Sequence, residues 1–390
     1  MSQEKYIHVV VATGSWDQDD LRYRRHRFAE YLRQKEETEE VIWVCPTPVR
    51  NDQRFRKLPN GIMEYQIPDI LPPRIFRFGR YLDPFYKNKL NELKIYLNER
   101  NTFKHVLWFT FPGFPLLAEL TKWNKIVYDC SDLWAAPIGG KQSLVMKWRE
   151  KSIHSAENRI INESNSIFCT SDFLHETVKK NPFSADKDVH VLENGVEFNN
   201  FNESQVTGDH RLTSLPKPVI GFLGGIKPKL DFELVKKLAV TYPDWSIVFI
   251  GPDGTNGSEE FKELLKEQNI HWLGKVDPAI VPEYMKAIDI GILPYKESIY
   301  NRAVFPLKLF EFLAAGKPVV GMNLPSTIKY QEPGVYIYSD TNDDFISSLT
   351  DVASEIGNPL LIEKRIEAAK EKDWKNIFNQ LYSRGLDSKL

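Results

Sequence analysis

Two doubly wound α/β units in tandem are what this sequence predicts, and three observations carry the expectation. Short apolar runs rich in β-branched residues alternate with helix-length amphipathic segments in each half of the chain. A polar stretch bearing Gly208, Pro216 and Pro218 interrupts the alternation, which then restarts. A length of 390 residues suits two domains, each able to bury its own core. The boundaries read as a first domain over 1–202, a linker over 203–218, a second domain over 219–365 and a closing helical segment over 366–390.

Composition narrows the function classes. A formal net charge of −2 gives no global pull toward nucleic acid. Cys45, Cys130 and Cys169 are far apart in sequence and lack the spacing of a zinc site, so they read as buried thiols of a reducing compartment. The first residues are polar, and no run approaches ~18 uncharged apolar residues. A cytoplasmic chain without a membrane span or a bound metal is the expectation.

In chain order, Ile7–Ala12 is a buried strand, and Gly14 in the loop that follows lets a ligand approach the backbone. Asp17, Asp19 and Asp20 read as helix-capping acids, although they superficially match a metal-binding Asp-x-Asp. The helix expected over about 21–34 begins with Arg22, Arg24, Arg25, His26 and Arg27, either a solvated face or a seat for a phosphate-bearing acceptor. Val41–Cys45 is the second strand. Over 71–96, arginines and lysines interleave with aromatics, a pattern that suits an anionic membrane surface or a lipid phosphate, or a loop whose aromatics are core. His105–Phe109 is another strand. Lys125–Cys130 leads into Asp132 and Trp134, so Asp129 and Asp132 stand at a strand's C-terminal end, where a carboxylate can bind a sugar hydroxyl or act as a base. A helix over about 142–162 and a strand over 166–170 follow, and Asn194-Gly195 reads as a structural turn.

After the linker, Val219–Leu223 ends at Gly224-Gly225. This is not the Gly-x-Gly-x-x-Gly of dehydrogenases, yet paired glycines free backbone N–H groups for a diphosphate, with Lys227 and Lys229 beside them. Ser246–Ile250 runs to Gly251. Ile270–Val276 and Asp289–Tyr295 are further strand segments, and Tyr300, Asn301 and Arg302 lie in the next loop.

The most informative stretch is 305–320, a short helix and then a buried strand. Pro306 suits the helix start, Gly316 a left-handed C-cap and Val319-Val320 a strand. Lys308 and Glu311 lie three residues apart on one helix face. A glutamate one turn into such a helix can accept two hydrogen bonds from a sugar diol, and the lysine can offset phosphate charge. The alternative is a solvated ion pair.

This pattern, Pro-x-Lys-x-x-Glu-x-x-Ala-x-Gly-x-Pro-Val, resembles the donor-binding motif of family 4 glycosyltransferases. The segment from Tyr128 to Trp134 is similar to one recurring in members that build bacterial polysaccharides. The resemblance implies the GT-B fold, two Rossmann-like domains facing a central cleft with the last helix crossing back. It implies a nucleotide-sugar co-substrate, a UDP-sugar first, with no other cofactor, and transfer with retention and without a metal. The acceptor it implies is a lipid-linked glycan or polysaccharide of a teichuronic-acid-like envelope polymer. Glu311 would hold the ribose; Gly224, Gly225 and Gly251 would border the nucleotide; Lys227 or Lys229 would meet its phosphates alongside Lys308. Outside what the resemblance implies, Gly14 is a further candidate for lining the donor, and Arg302 or Asn301 for touching its sugar. Many members carry a sugar-contacting glutamate eight residues before the ribose glutamate, and this chain has Ala303 there. Two rivals stand beside this reading: a nucleotide-sugar 2-epimerase of the same fold, and a non-catalytic nucleotide-sugar-binding partner of a synthase.

Overall fold

A computed structural model of the chain describes residues 4–17, 22–48, 54–69, 77–136 and 144–386. The chain forms two compact units, one ending at Glu193 and regaining the chain from Phe378, the other spanning Asn194–Ile377.

The first unit is built on a sheet of eight strands: β1 (Tyr6–Val11), β2 (Thr38–Thr47), β3 (Phe55–Lys57), β4 (Met63–Pro68), β5 (Lys104–Phe109), β6 (Lys125–Cys130), β7 (Ser166–Cys169) and β8 (Asp188–Val191). Their spatial order is β3-β4-β2-β1-β5-β6-β7-β8. All neighbours run parallel except β3, which turns back antiparallel on β4. Continuously buried runs such as Ile7 to Val11 are what a parallel sheet covered on both faces demands. The strand order reverses beside β1, which sets the loop after it at a topological switch point. The sequence reading misses β3 and β4, because Met63–Pro68 mixes Glu64 and Gln66 with apolar residues. Glu64 is nevertheless fully buried. Its carboxylate accepts from the Trp16 amide at 2.7 Å, from Arg56 Nε at 3.0 Å and from Gln66 Nε2 at 2.6 Å.

The second unit has a wholly parallel sheet of β9 (Val219–Leu223), β10 (Ser246–Ile250), β11 (Ile270–Trp272), β12 (Ile290–Pro294), β13 (Val319–Met322) and β14 (Tyr336–Ser339). The order β11-β10-β9-β12-β13-β14 is doubly wound, with its switch point between β9 and β12. Residues 203–218 belong to this unit: Leu212 is buried, and Asp209 accepts from Tyr284 Oη at 2.7 Å. The Asn194-Gly195 turn is held in the same unit. Asn194 Nδ2 donates to the Phe305 carbonyl at 3.0 Å, and a Cβ on Gly195 would lie 2.6 Å from the Lys372 carbonyl oxygen.

The last helix, Trp374–Leu386, passes into the first unit at Phe378. Trp374, Phe378 and Leu381 are buried, as their spacing predicts. In the first unit Phe378 packs on Phe28 at 5.4 Å between ring centroids, and Asn379 accepts from Tyr31 Oη at 2.6 Å.

Candidate active site

In the second unit the C-terminal ends of β9, β10 and β12 converge with the start of the helix Leu307–Ala314. Two glycines make that convergence possible. Gly224 (φ 138°) and Gly251 (φ 145°) adopt backbone conformations that side chains rarely tolerate. A Cβ on Gly251 would stand 2.0 Å from the Gly224 carbonyl oxygen. The two loops are stitched together where Gly224 N donates to Ile250 O at 2.8 Å and Ile226 N to Pro252 O at 3.0 Å. Trp272 Nε1 donates to the Gly251 carbonyl at 2.9 Å and Gly251 N to the Gly274 carbonyl at 2.8 Å, which fixes the floor beside β11.

Lys308 reaches over this floor: a Cβ on Gly224 would meet its Cε at 3.5 Å. Its ammonium pairs with Glu311 Oε2 at 2.6 Å, with side-chain exposures of 24% and 11%. Those values exclude a fully solvated surface pair, which is the alternative the sequence leaves open. The helix ends as predicted, with Gly316 in the left-handed region (φ 78°). Pro306 is its N-cap rather than part of its first turn. Of the other two lysines, Lys227 curls over Gly225, its Cε 3.4 Å from where a Cβ would sit. Lys229 points its ammonium at the rings of Tyr295 (5.1 Å) and Tyr300 (5.9 Å). Burial pushes the Tyr295 hydroxyl up to about 12, while the Lys308 charge nearby pulls the other way. Gly224, Gly225, Gly251, Lys227, Lys229, Lys308 and Glu311 therefore gather at one edge of one sheet. Chemically, freed N–H groups, three ammonium groups and one carboxylate suit a polyanion that also carries a diol.

Arg302 is not drawn into this group. It is exposed and pairs with Glu297 at 2.9 Å. Ala303 is buried and presents no polar side chain where a sugar contact could form. The sequence offers Asn301 as an alternative to Arg302 for a sugar contact, but its side chain is fully buried and its amide knits the loops together instead.

The first unit holds the remaining predicted residues. The loop after β1 is rigidly framed. Trp43 Nε1 donates to the Gly14 carbonyl at 3.0 Å, Arg80 Nη1 to the Thr13 carbonyl at 3.1 Å, and Glu64 takes the Trp16 amide. His26 lies edge-on to Trp16 and beside Trp43. Burial, with the charges of Arg25 and Arg22, lowers its imidazole to about 3, so it is neutral. Asp129 is buried, and both its oxygens are held by Arg24, at 2.8 and 3.0 Å. The same guanidinium donates to the Glu193 carbonyl at 2.8 Å. Asp129 thus serves as an anchor within this unit. Asp132 Oδ1 accepts from the Leu133 amide at 2.9 Å. Asp19 and Asp20 lie outside the described residues, as does 71–76 of the basic and aromatic run. Of the rest of that run, Arg80 is committed to Asp69 and Thr13, Tyr86 is buried and Lys89 Nζ donates to the Pro68 carbonyl. Leu82 and Lys87 stay exposed.

Comparison with known proteins gives a consistent picture. Residues 217–355, inside the second unit, match the family model described as glycosyl transferases group 1. Over 385 residues the chain is 50% identical to a Bacillus subtilis (strain 168) protein named "Putative teichuronic acid biosynthesis glycosyltransferase TuaH", covering 97% of each chain. Among solved structures it resembles sucrose-phosphate synthase from Thermosynechococcus elongatus, with a TM-score of 0.73 at 13% identity over 97% of this chain and 99% of that one. It also resembles Anabaena HepE in complex with UDP, with a TM-score of 0.68 at 12% identity over 97% and 98%. At such identities the likeness is one of fold, the two-domain α/β fold expected from the sequence.

Proposed function

The chain belongs to the glycosyltransferase family of its half-identical Bacillus relative, and on that premise we propose a specific reaction. It moves a sugar from a nucleoside diphosphate donor, a UDP-sugar, onto a hydroxyl of a lipid-linked or polysaccharide acceptor in a teichuronic-acid-like envelope polymer. The relative's name supports the polymer class, and the complexes of HepE with UDP and with UDP-glucose support the donor class.

The observation that carries this reading is the Lys308–Glu311 pair held over the Gly224 loop. Glu311 accepts the two ribose hydroxyls. Lys308, one of Lys227 and Lys229, and the N–H groups at Gly224 and Gly225 stabilise the charge that develops on the departing diphosphate. Fixed protein cations do this without a bound metal, and transfer retains the anomeric configuration. A lipid-linked acceptor brings the chain to a membrane surface. Among the described residues no helix is long and apolar enough to cross a membrane. Leu82, Lys87 and Trp148 are exposed side chains of the first unit that could meet anionic headgroups.

The test is a thermal-shift panel of UDP, GDP and ADP with their sugars. UDP raises the melting temperature of the wild-type protein, and Glu311→Ala removes that rise while leaving the unliganded protein folded. An undiminished shift in Glu311→Ala refutes the ribose role. Transfer is separated from epimerisation by omitting the acceptor: a transferase then leaves the donor sugar unchanged, whereas an epimerase converts it.

A further inference from the structure

Asn301 is fully buried, and its amide nitrogen faces two backbone carbonyls: Lys229 O at 3.1 Å and Lys296 O at 2.7 Å. With two acceptors opposite, that end of the side chain must be the nitrogen. The Lys229 carbonyl also accepts from the Lys296 amide at 2.9 Å, so one oxygen is gripped from two sides. A bridge between Leu230 and Tyr295 extends the seam. At the other end of Lys229, its ammonium lies over Tyr295 and Tyr300. The residue is thus fastened at its backbone by Asn301 and at its head by two rings that flank the same loop.

The cost of this arrangement is visible. Asn301 Oδ1 is buried, and among the described residues nothing donates to it. Leaving an acceptor unsatisfied opposes folding and offsets part of what the two donated bonds contribute. The Asn301 backbone N–H donates to the capping Ser298 Oγ at 3.0 Å, so the short helix Ile299–Ala303 starts without help from the Asn301 side chain.

We infer that Asn301 is a positioning residue that acts through Lys229, holding the loop so that the Lys229 ammonium stays in place for the donor diphosphate. The inference rests on the nucleotide reading above and answers the choice between Lys227 and Lys229 in favour of Lys229. Asn301 itself touches no substrate, since its side chain is closed off from solvent.

The experiment measures UDP affinity by calorimetry in wild type, Asn301→Ala, Asn301→Asp, Asn301→Ser, Lys229→Ala and the Asn301→Ala/Lys229→Ala double variant. Asn301→Ala and Asn301→Asp each weaken UDP about tenfold, because both lose the two donors. Asn301→Ser, which keeps one donor on a shorter side chain, falls between. In the Lys229→Ala background the Asn301→Ala change weakens UDP no further, since there is no ammonium left to position. In the unliganded Asn301→Ser protein, the Lys296 amide exchanges its hydrogen faster than in wild type. Unchanged UDP affinity in all three Asn301 variants overturns the inference. So does wild-type behaviour of Asn301→Asp, which would make Oδ1 the working atom, or losses that add in the double variant. Wild-type protein that does not bind UDP at all refutes the nucleotide reading instead, a result distinct from every one of these.

Discussion

A carboxylate at the C-terminal end of a strand is a natural candidate for chemistry, and Asp129 shows what decides its part. Its type and place are legible in the sequence; the guanidinium of Arg24, 105 positions away, is not. A buried pair with two parallel bonds is costly to break from one side, because the survivor is a desolvated charge. Asp129→Asn therefore destabilises the protein by about 3 kcal/mol in a denaturant titration. A chemical role alone would leave the midpoint unmoved. Glu157 offers a pH signature at the same scale. Burial pushes its carboxyl up, with the Tyr128 hydroxyl at 2.7 Å opposing that shift. A folded pKa above the unfolded one means that the native state binds the proton more tightly. The contribution to stability is full below the unfolded carboxylate range and is lost as pH rises through the folded pKa. Melting temperature against pH shows that loss above the ordinary carboxylate range, and Glu157→Gln abolishes it, so the two curves diverge with the variant the more stable at neutral pH.

At the scale of elements, the second unit's site is a matter of how closely two loops approach. Gly251→Ala places a methyl group 2.0 Å from the Gly224 carbonyl oxygen in a backbone conformation that alanine avoids. The loops must part, so the variant loses about 3 kcal/mol of stability by denaturant titration, and UDP stabilises it less than wild type. The helix and strand over 305–320 were readable in advance because every local signal agreed: a proline start, an apolar face, a glycine stop and β-branched residues after it. The Lys308–Glu311 contact followed from helical spacing alone. The β3–β4 hairpin was not readable, because its Glu64 looks solvated until Arg56, Gln66 and the Trp16 amide are brought around it. The basic and aromatic run, open in the sequence between a membrane surface and a loop with core aromatics, turns partly inward among the described residues. Arg80 and Lys89 look like surface charge but spend themselves on Asp69, Thr13 and Pro68. Spacing reports which residues share a face; it is silent on partners supplied from distant elements.

For the whole molecule, the net charge of −2 means that no global field draws in an anionic donor. Recognition must come from local cations, and the second unit supplies Lys227, Lys229 and Lys308 around the Gly224 loop, with Glu311 as the one carboxylate of that group. Charge developing on a leaving diphosphate can be met by a bound divalent cation or by fixed ammonium groups and backbone dipoles. The proposed reaction uses the second, with Glu311 already paired to Lys308 at 2.6 Å. On the proposed reaction, the expected outcome is that transfer to an envelope-lipid acceptor runs at the same rate in EDTA as in magnesium. Lys308→Ala lowers kcat by roughly a hundredfold or more, in the range seen when a group stabilising the transition state is removed. Activity lost in EDTA and restored by magnesium would shift the burden from the lysines to a metal, and a Lys308→Ala enzyme with wild-type kcat would remove Lys308 from the chemistry altogether.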